Sequence, residues 1–158
     1  MPGRFSLYDD RAKRVLALAQ DEALRFRQPA IAPEHLLLAV IRAGTGDRSG
    51  SGSVGDALNS LGLPLGKARE ELEALSGRGD AEPQPDEDRV VSFTAEGDRV
   101  IDLAPAEARS LKAERVTDTH VLLAVLREPG KAEALLQSLG LSTEAVRQKV
   151  IEGRRPTG

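Results

Sequence analysis

Apolar residues recur at helical spacing along much of the 158-residue chain. Between Val15 and Phe26, the apolar positions follow the i, i+3, i+4, i+7 order of one helix face. A second apolar stretch follows Pro33, which suits the first position of a helix because its missing N–H costs nothing there. Shorter helices are expected at about 54–61 and 65–75, and no stretch shows sustained two-residue alternation. The pattern predicts an all-α fold.

The second half of the chain repeats the first. APEHLLLAVIR at 32–42 returns as TDTHVLLAVLR at 117–127, in a register that matches His35 with His120. LNSLGL at 58–63 returns as LQSLGL at 136–141, so that Leu58 matches Leu136. The distance along the chain between these two segments is slightly shorter than that between the first pair. A Gly/Ser-rich insertion within 44–55 of the first copy explains the difference between the two registers. Matches that keep one register over such a length indicate a duplicated unit.

Each copy is predicted to contain four helices, so the fold is expected to be two pseudo-symmetric four-helix repeats, eight helices in all. The domain is expected to cover residues 3–152. Repeat one covers 3–76, and repeat two covers 92–152. The acidic, proline-containing segment 77–91 between them is expected to be a linker.

Polar and special residues mark the expected helix ends. Thr94, Thr117 and Ser142 can each cap a helix of the second repeat. Gly44 is expected to stop the second helix. Pro105 lies inside the fifth helix, where it removes a backbone hydrogen bond and should bend the helix.

Composition and charge narrow the class of protein. The chain is 40% hydrophobic and 30% charged, which is typical of a soluble globular domain. Nucleic-acid binders usually carry an excess of basic residues, whereas this chain has a net charge of −3. No apolar run is long enough to span a bilayer. The chain has no cysteine, and its start lacks the pattern of a signal peptide. We expect a cytoplasmic monomer with neither nucleic-acid nor membrane partners.

Motifs for catalysis or cofactors are missing from the sequence. The segment 62–68, GLPLGKA, lacks the spacing and the Ser or Thr of a phosphate-binding loop, so we expect no ATP binding. His35 and His120 occupy equivalent positions without further ligands at metal-binding spacing. No nucleophile elbow accompanies them. We therefore predict no metal, no cofactor and no enzymatic activity, with both histidines bonding backbone at helix starts.

A few acidic and aromatic residues have two interpretations. Glu34 lies in the first turn of its helix, where it either stabilises the helix dipole or binds a cation. Glu22 and Glu107 are expected to be solvated charges on a helix face. Tyr8 and Phe93 lie at equivalent helix starts and are expected to pack onto the core, with a role as exposed binding anchors as the alternative.

The repeated motifs P-E-H-L-L-L-A-V and T-H-V-L-L-A-V resemble the N-terminal domain of Clp-type AAA+ unfoldases, the ClpA, ClpB and ClpC group. The opening RFSLYDDRAKRVLALAQDEALRF is similar to the first helix of ClpC, and FTAEGDRVIDLAPAEA resembles the start of that family's second repeat. The resemblance covers essentially the whole chain. It implies two pseudo-symmetric four-helix bundles that capture substrates and adaptors for ATPase modules, which this chain does not contain.

The resemblance therefore implies a non-catalytic module that binds Clp unfoldase, adaptor or client proteins. The divergent second copy and the Gly/Ser insertion favour a stand-alone modulator of a Clp system. The alternative is the N-terminal fragment of a full-length ClpC-like ATP-dependent chaperone.

The family's ligand residues are only partly kept. In ClpC-like proteins the Glu of each T-E-H motif helps to recognise phosphoarginine, and a Thr after the helix-start aromatic lies on the phosphate side. Here Asp9 replaces that Thr in the first copy, and Thr119 replaces the Glu in the second copy. With Asp9 paired to Glu34, and Thr94 paired to Thr119, each site would lack one partner, so full phosphoarginine recognition is not the main expectation, and phosphoarginine-bearing ligands are the alternative.

The candidate ligand-binding residues are thus Tyr8, Asp9 and Glu34 at one site, and Phe93, Thr94 and Thr119 at the other. The first site is expected to prefer cationic peptide segments. The second site is expected to suit apolar or cyclic-peptide ligands.

Overall fold

The structure, a computed structural model, describes residues 6–45, 65–76, 92–128 and 130–153. Within these ranges it is all-helical, as predicted, without a β-strand. The helices are α1 (Asp10–Arg25), α2 (Pro33–Thr45), α3 (Leu65–Ser76), α4 (Ala95–Ser110), α5 (Asp118–Arg127), α6 (Lys131–Ser138) and α7 (Thr143–Gly153).

The predicted total of eight helices is corrected to seven for the described part of the chain. The helix expected at about 54–61 lies outside the described residues, as does the linker expected at 77–91. The helix expected at 65–75 is confirmed as α3.

Helices α2 and α5 form the centre of the domain. Every side chain in 31–41 is buried, and so is every side chain in 119–126. Helix α2 packs against α1, α5 packs against α4, and the two central helices contact each other. A helix that is apolar on all faces belongs inside a core rather than at its surface. The two repeats accordingly share one continuous apolar core.

The segment that precedes the first helix of each repeat crosses over to the other repeat. Tyr8 forms a parallel bridge with Val116, and Phe93 forms the equivalent bridge with Ile31. Backbone hydrogen bonds of 2.8 and 2.9 Å hold each bridge. The start of α1 therefore lies beside the start of α5, and the start of α4 lies beside the start of α2.

The crossing also carries a side-chain contact between the repeats. The Tyr8 hydroxyl is buried and donates to the Ile101 carbonyl at 2.9 Å. In a regular α-helix this carbonyl accepts from the N–H four residues further on. That residue is Pro105, which has no N–H, and α4 nevertheless continues through it. The hydroxyl thus replaces the donor that the proline removes.

Glu22 is not a solvated helix-face charge, as the sequence had suggested, because it is completely buried. Arg69 donates to its two carboxylate oxygens at 2.9 and 2.6 Å, and Arg42 donates to Oε2 at 3.1 Å. A buried charge needs such partners to offset the loss of water. The cluster joins α1, α2 and α3.

Glu107 is likewise buried, so the prediction of a solvated position is wrong for it too. Arg127 hydrogen-bonds to its carboxylate, and Arg147 Nη1 lies 3.7 Å from Oε2. The arginines of the two clusters are equivalent in the repeat alignment, since Arg42 matches Arg127 and Arg69 matches Arg147. Each repeat is therefore joined internally by one glutamate and two arginines.

Candidate functional site

A pocket of about 450 Å³ opens where the N-termini of α2, α4 and α6 meet. Its walls are residues 28–30 and 32–35, residues 94 and 96 at the start of α4, and residues 128 and 130–132 leading into α6. This volume is in the usual range for ligand pockets. The pocket exists because the Phe93–Ile31 bridge places α4 against the start of α2.

Glu34 provides a buried carboxylate to the pocket. It lies in the first turn of α2, and only 8% of its surface is exposed. Burial raises its pKa, against the lowering effects of its own backbone N–H and of Lys131, while Glu96 adds to the increase. A carboxylate that has lost much of its water gains more from a bound cation than a solvated one does.

Thr94 places a hydroxyl at the same pocket. It caps α4, and its Oγ1 accepts a hydrogen bond from the Gly97 N–H at 3.0 Å. A Cβ at Gly97 would lie 2.4 Å from the Ile31 carbonyl oxygen, so only glycine allows α4 to approach this closely. The cap and the glycine together fix Thr94 beside the start of α2.

Charged residues complete the pocket wall. Glu128 is buried, and Arg99 donates to its Oε1 at 2.9 and 2.6 Å. Lys131 is exposed at the start of α6, and Glu96 is exposed in the first turn of α4. The pocket therefore combines the carboxylates of Glu34, Glu96 and the ion-paired Glu128 with the Thr94 hydroxyl and the Lys131 ammonium group.

Each histidine accepts a hydrogen bond from the backbone at the start of its helix. His35 Nδ1 accepts from the Ala32 N–H at 2.9 Å, and His120 Nδ1 accepts from the Thr117 N–H at 2.9 Å. Burial lowers the pKa of His35 to about 4, so its ring is neutral at pH 7 and carries its proton on Nε2. The predicted backbone-bonding role is confirmed. Among the residues with a described position, no group of three or more potential metal ligands occurs.

The structure reverses the expected pairing of the site residues. Glu34 shares its pocket with Thr94 rather than with Asp9. Asp9 lies instead near Asp118, whose pKa it raises, beside the start of the helix that carries Thr119. The cause is the crossing of the two starting segments, since each docks onto the second helix of the other repeat.

The two aromatic candidates support the site from within. Tyr8 is completely buried, with its hydroxyl bonded to α4, so it lies behind the surface that a ligand would contact. Phe93 is partly buried and packs against the core. The expectation that both rings pack onto the core is confirmed.

Sequence reasoning did not identify Glu96, Glu128 or Lys131 as pocket residues. Glu96 could have been found, because it stands two positions after the predicted cap Thr94. Glu128 and Lys131 flank the turn that leads into α6, and nothing in their spacing indicates that this turn meets α2 and α4.

No helix in the ranges that the structure describes is long and apolar enough to cross a membrane.

The fold and pocket define a class of protein, an all-α tandem-repeat domain with a pocket between its repeats. A family model described as the Clp repeat (R) N-terminal domain matches residues 7–139 and, in a second match, residues 92–153. The chain belongs to this family.

Two curated relatives match nearly the whole chain. It is 38% identical over 157 residues to the negative regulator of genetic competence ClpC/MecB of Bacillus subtilis (strain 168), covering 98% of this chain and 18% of that protein. It is 38% identical over 149 residues to the chaperone protein ClpB of Oceanobacillus iheyensis, covering 94% and 17%. The chain thus spans less than a fifth of the length of these relatives.

Solved structures share the fold. The N-terminal domain of the chaperone ClpD from Arabidopsis thaliana matches with a TM-score of 0.76 and 21% identity, covering 96% of this chain and 99% of that one. The Hsp104 N-terminal domain from Candida albicans matches with a TM-score of 0.72 and 18% identity, covering 93% and 91%. At these identities the likeness concerns the fold alone.

Proposed function

We propose that this chain is a non-catalytic protein-binding module of a Clp chaperone system, which binds segments of client, adaptor or unfoldase proteins. Membership of the Clp repeat family supports this role. The observation that carries it is the meeting of Glu34 and Thr94, from different repeats, at one pocket of about 450 Å³.

The chemistry of the pocket favours a basic side chain as ligand. The buried Glu34 carboxylate suits a guanidinium, which can donate two parallel hydrogen bonds to it. Thr94 and Lys131 offer a hydroxyl and a cation at the same pocket, so a phosphorylated guanidinium is also a suitable ligand. The sequence-based objection to phosphoarginine rested on placing Asp9 beside Glu34, and Asp9 lies at the other position.

Calorimetric titration with two synthetic peptides tests this proposal, one with a single arginine and one with a single phosphoarginine. Glu34→Gln should weaken both complexes by about 1.5–3 kcal/mol, the scale of a hydrogen bond to a charged group. Thr94→Val should weaken the phosphoarginine complex more than the arginine complex. Glu114→Gln, at an exposed position outside the pocket, is the matched control and should leave both affinities unchanged.

Equal affinities of wild type and Glu34→Gln for both peptides would refute the proposed ligand class. Circular dichroism of each variant shows whether the fold is retained, so a binding loss can be separated from unfolding.

The same binding role would serve a stand-alone modulator or the N-terminal part of a ClpC-like ATP-dependent chaperone. The native reading frame beyond codon 158 distinguishes them. A frame that continues into ATPase modules assigns the function to the longer chaperone, and a stop codon assigns it to a modulator.

A further inference from the structure

Arg99 lies next to the pocket without being one of the described residues that line it. It is on α4, one turn after Glu96, and its guanidinium contacts both Glu96 and Glu128 in the pocket wall. We propose that Arg99 is a specificity-determining residue, which lets the pocket accept a phosphorylated guanidinium by neutralising these two carboxylates. The inference rests on the proposed function and states which ligand charge the pocket tolerates.

The residues that line the pocket carry an excess of negative charge. Their described members supply three carboxylates and one ammonium group, and the ring of His35 is neutral at pH 7. The carboxylates belong to Glu34, Glu96 and Glu128, and the ammonium group belongs to Lys131. A phosphate group brings nearly two further negative charges, and like charges at close range disfavour one another. The lining residues alone would therefore favour arginine and repel phosphoarginine.

Arg99 offsets two of these three carboxylates. Its Nε and Nη2 donate to Glu128 Oε1 at 2.9 and 2.6 Å, and its Nη2 lies 3.9 Å from Glu96 Oε1. Glu128 is buried, so water screens its charge poorly and a paired cation is needed to balance it. The charge of Glu96 reaches Glu34, since it adds to the increase in the Glu34 pKa. Arg99 thus leaves Glu34 as the main acidic group that a ligand meets.

The fold of a repeat does not require this ion pair. The repeat alignment matches Arg99 with Arg14 and Glu128 with Ala43. Ala43 is buried and has no charge to offer to Arg14, and the first repeat nevertheless forms the same packing of its first two helices. The Arg99–Glu128 pair is therefore a feature of the pocket, which a role in holding the repeat together does not explain.

Calorimetric titration with acetyl-Gly-Arg-Gly-amide and with its phosphoarginine form gives the ratio of the two affinities. In Arg99→Gln two carboxylates lose their counter-ion, so the ratio should shift toward the arginine peptide by about 5-fold, the upper scale of an exposed ion pair. The shift should shrink in about 0.5 M NaCl, because salt screens exposed charges. A change that only loosened the pocket wall would weaken both complexes alike and leave the ratio constant.

Three further variants separate charge from structure. Glu128→Gln removes a carboxylate and should shift the ratio the opposite way, toward phosphoarginine, whereas Arg99→Lys keeps the charge and should keep the wild-type ratio. Arg109→Gln is the matched control, since it makes the same charge change at an exposed position in the last turn of α4, and it should leave both affinities unchanged.

The outcomes for the inference and for the proposed function differ. An Arg99→Gln ratio that equals the wild-type ratio, or that moves toward phosphoarginine, would overturn the inference and leave the proposed function intact. A wild-type chain that binds neither peptide would refute the proposed function itself.

Discussion

Removing the Tyr8 hydroxyl should destabilise the domain by an amount that depends on Pro105. The hydroxyl donates to the Ile101 carbonyl at 2.9 Å, at the point where the proline leaves the helix without its own donor. Tyr8→Phe takes this donor from a buried carbonyl, a loss of about 1–3 kcal/mol. The repeat alignment matches Tyr8 with Phe93 and Pro105 with Gln20, so hydroxyl and proline are absent together from the equivalent pair of positions.

A double-mutant cycle isolates this coupling. Pro105→Ala restores a backbone N–H four residues after Ile101, so the carbonyl regains a donor within its own helix. In that background Tyr8→Phe should cost about 1 kcal/mol less than in the wild type, within the range measured for residues that share a partner. The helix-propensity gain of Pro105→Ala is common to both proteins that carry it, and it cancels in the cycle.

Urea unfolding of the four proteins gives the required free energies, provided that the slopes of the four transitions agree. Loss of one buried hydroxyl group leaves the surface exposed on unfolding almost unchanged, so equal slopes are expected. A Tyr8→Phe cost that is the same in both backgrounds, within about 0.5 kcal/mol, would refute the replacement of the missing N–H by the hydroxyl.

Three further predictions concern stability, each measured by urea unfolding. Gly97→Ala should cost about 1–3 kcal/mol, because its Cβ would meet the Ile31 carbonyl; Gly66→Ala, with open space around it, is the control, and an equal effect of both changes would count against the close contact. Lys112→Gly should stabilise the domain by about 1 kcal/mol, because Lys112 follows the C-cap of α4 in the left-handed region, with φ of 60°; a loss of stability would contradict this. His35→Gln keeps an acceptor for the Ala32 N–H but removes a group whose pKa falls from 6.5 to about 4 on folding. The unfolded chain takes up this proton first as the pH falls, so between pH 7 and 5 the wild type should lose about 2 kcal/mol more than the variant; parallel curves would argue against a neutral buried imidazole.

Periodicity was sufficient to predict the helices in the described part of the chain, because apolar positions at helical spacing mark the faces that a fold must bury. The caps were predictable for the same local reason, and Thr94, Thr117 and Ser142 each accept the expected backbone hydrogen bond. Gly44 did not stop its helix, since α2 continues to Thr45. A glycine weakens a helix, but packing against neighbouring helices can carry the helix past it.

The sequence did not predict which candidate residues lie together, since Glu34 shares its pocket with Thr94 and Asp9 lies near Asp118. Spacing along the chain shows that Asp9 and Thr94 are equivalent, as are Glu34 and Thr119, whereas it does not show which repeat each starting segment docks on. The buried state of Glu22 was missed for a related reason, because its arginine partners lie on other helices. The sequence does contain an indication of these clusters, because Arg42 and Arg69 recur as Arg127 and Arg147 at equivalent positions of the second repeat.

The proposed function requires that Glu34 and Thr94 contact one ligand side chain. Intermolecular NOEs between the labelled chain and a peptide with a single arginine measure this contact. We expect NOEs from the arginine side-chain protons to the Thr94 methyl group and to the Glu34 methylene groups in the same complex. NOEs to Asp9 and Thr119, with none to the Glu34–Thr94 pocket, would contradict it.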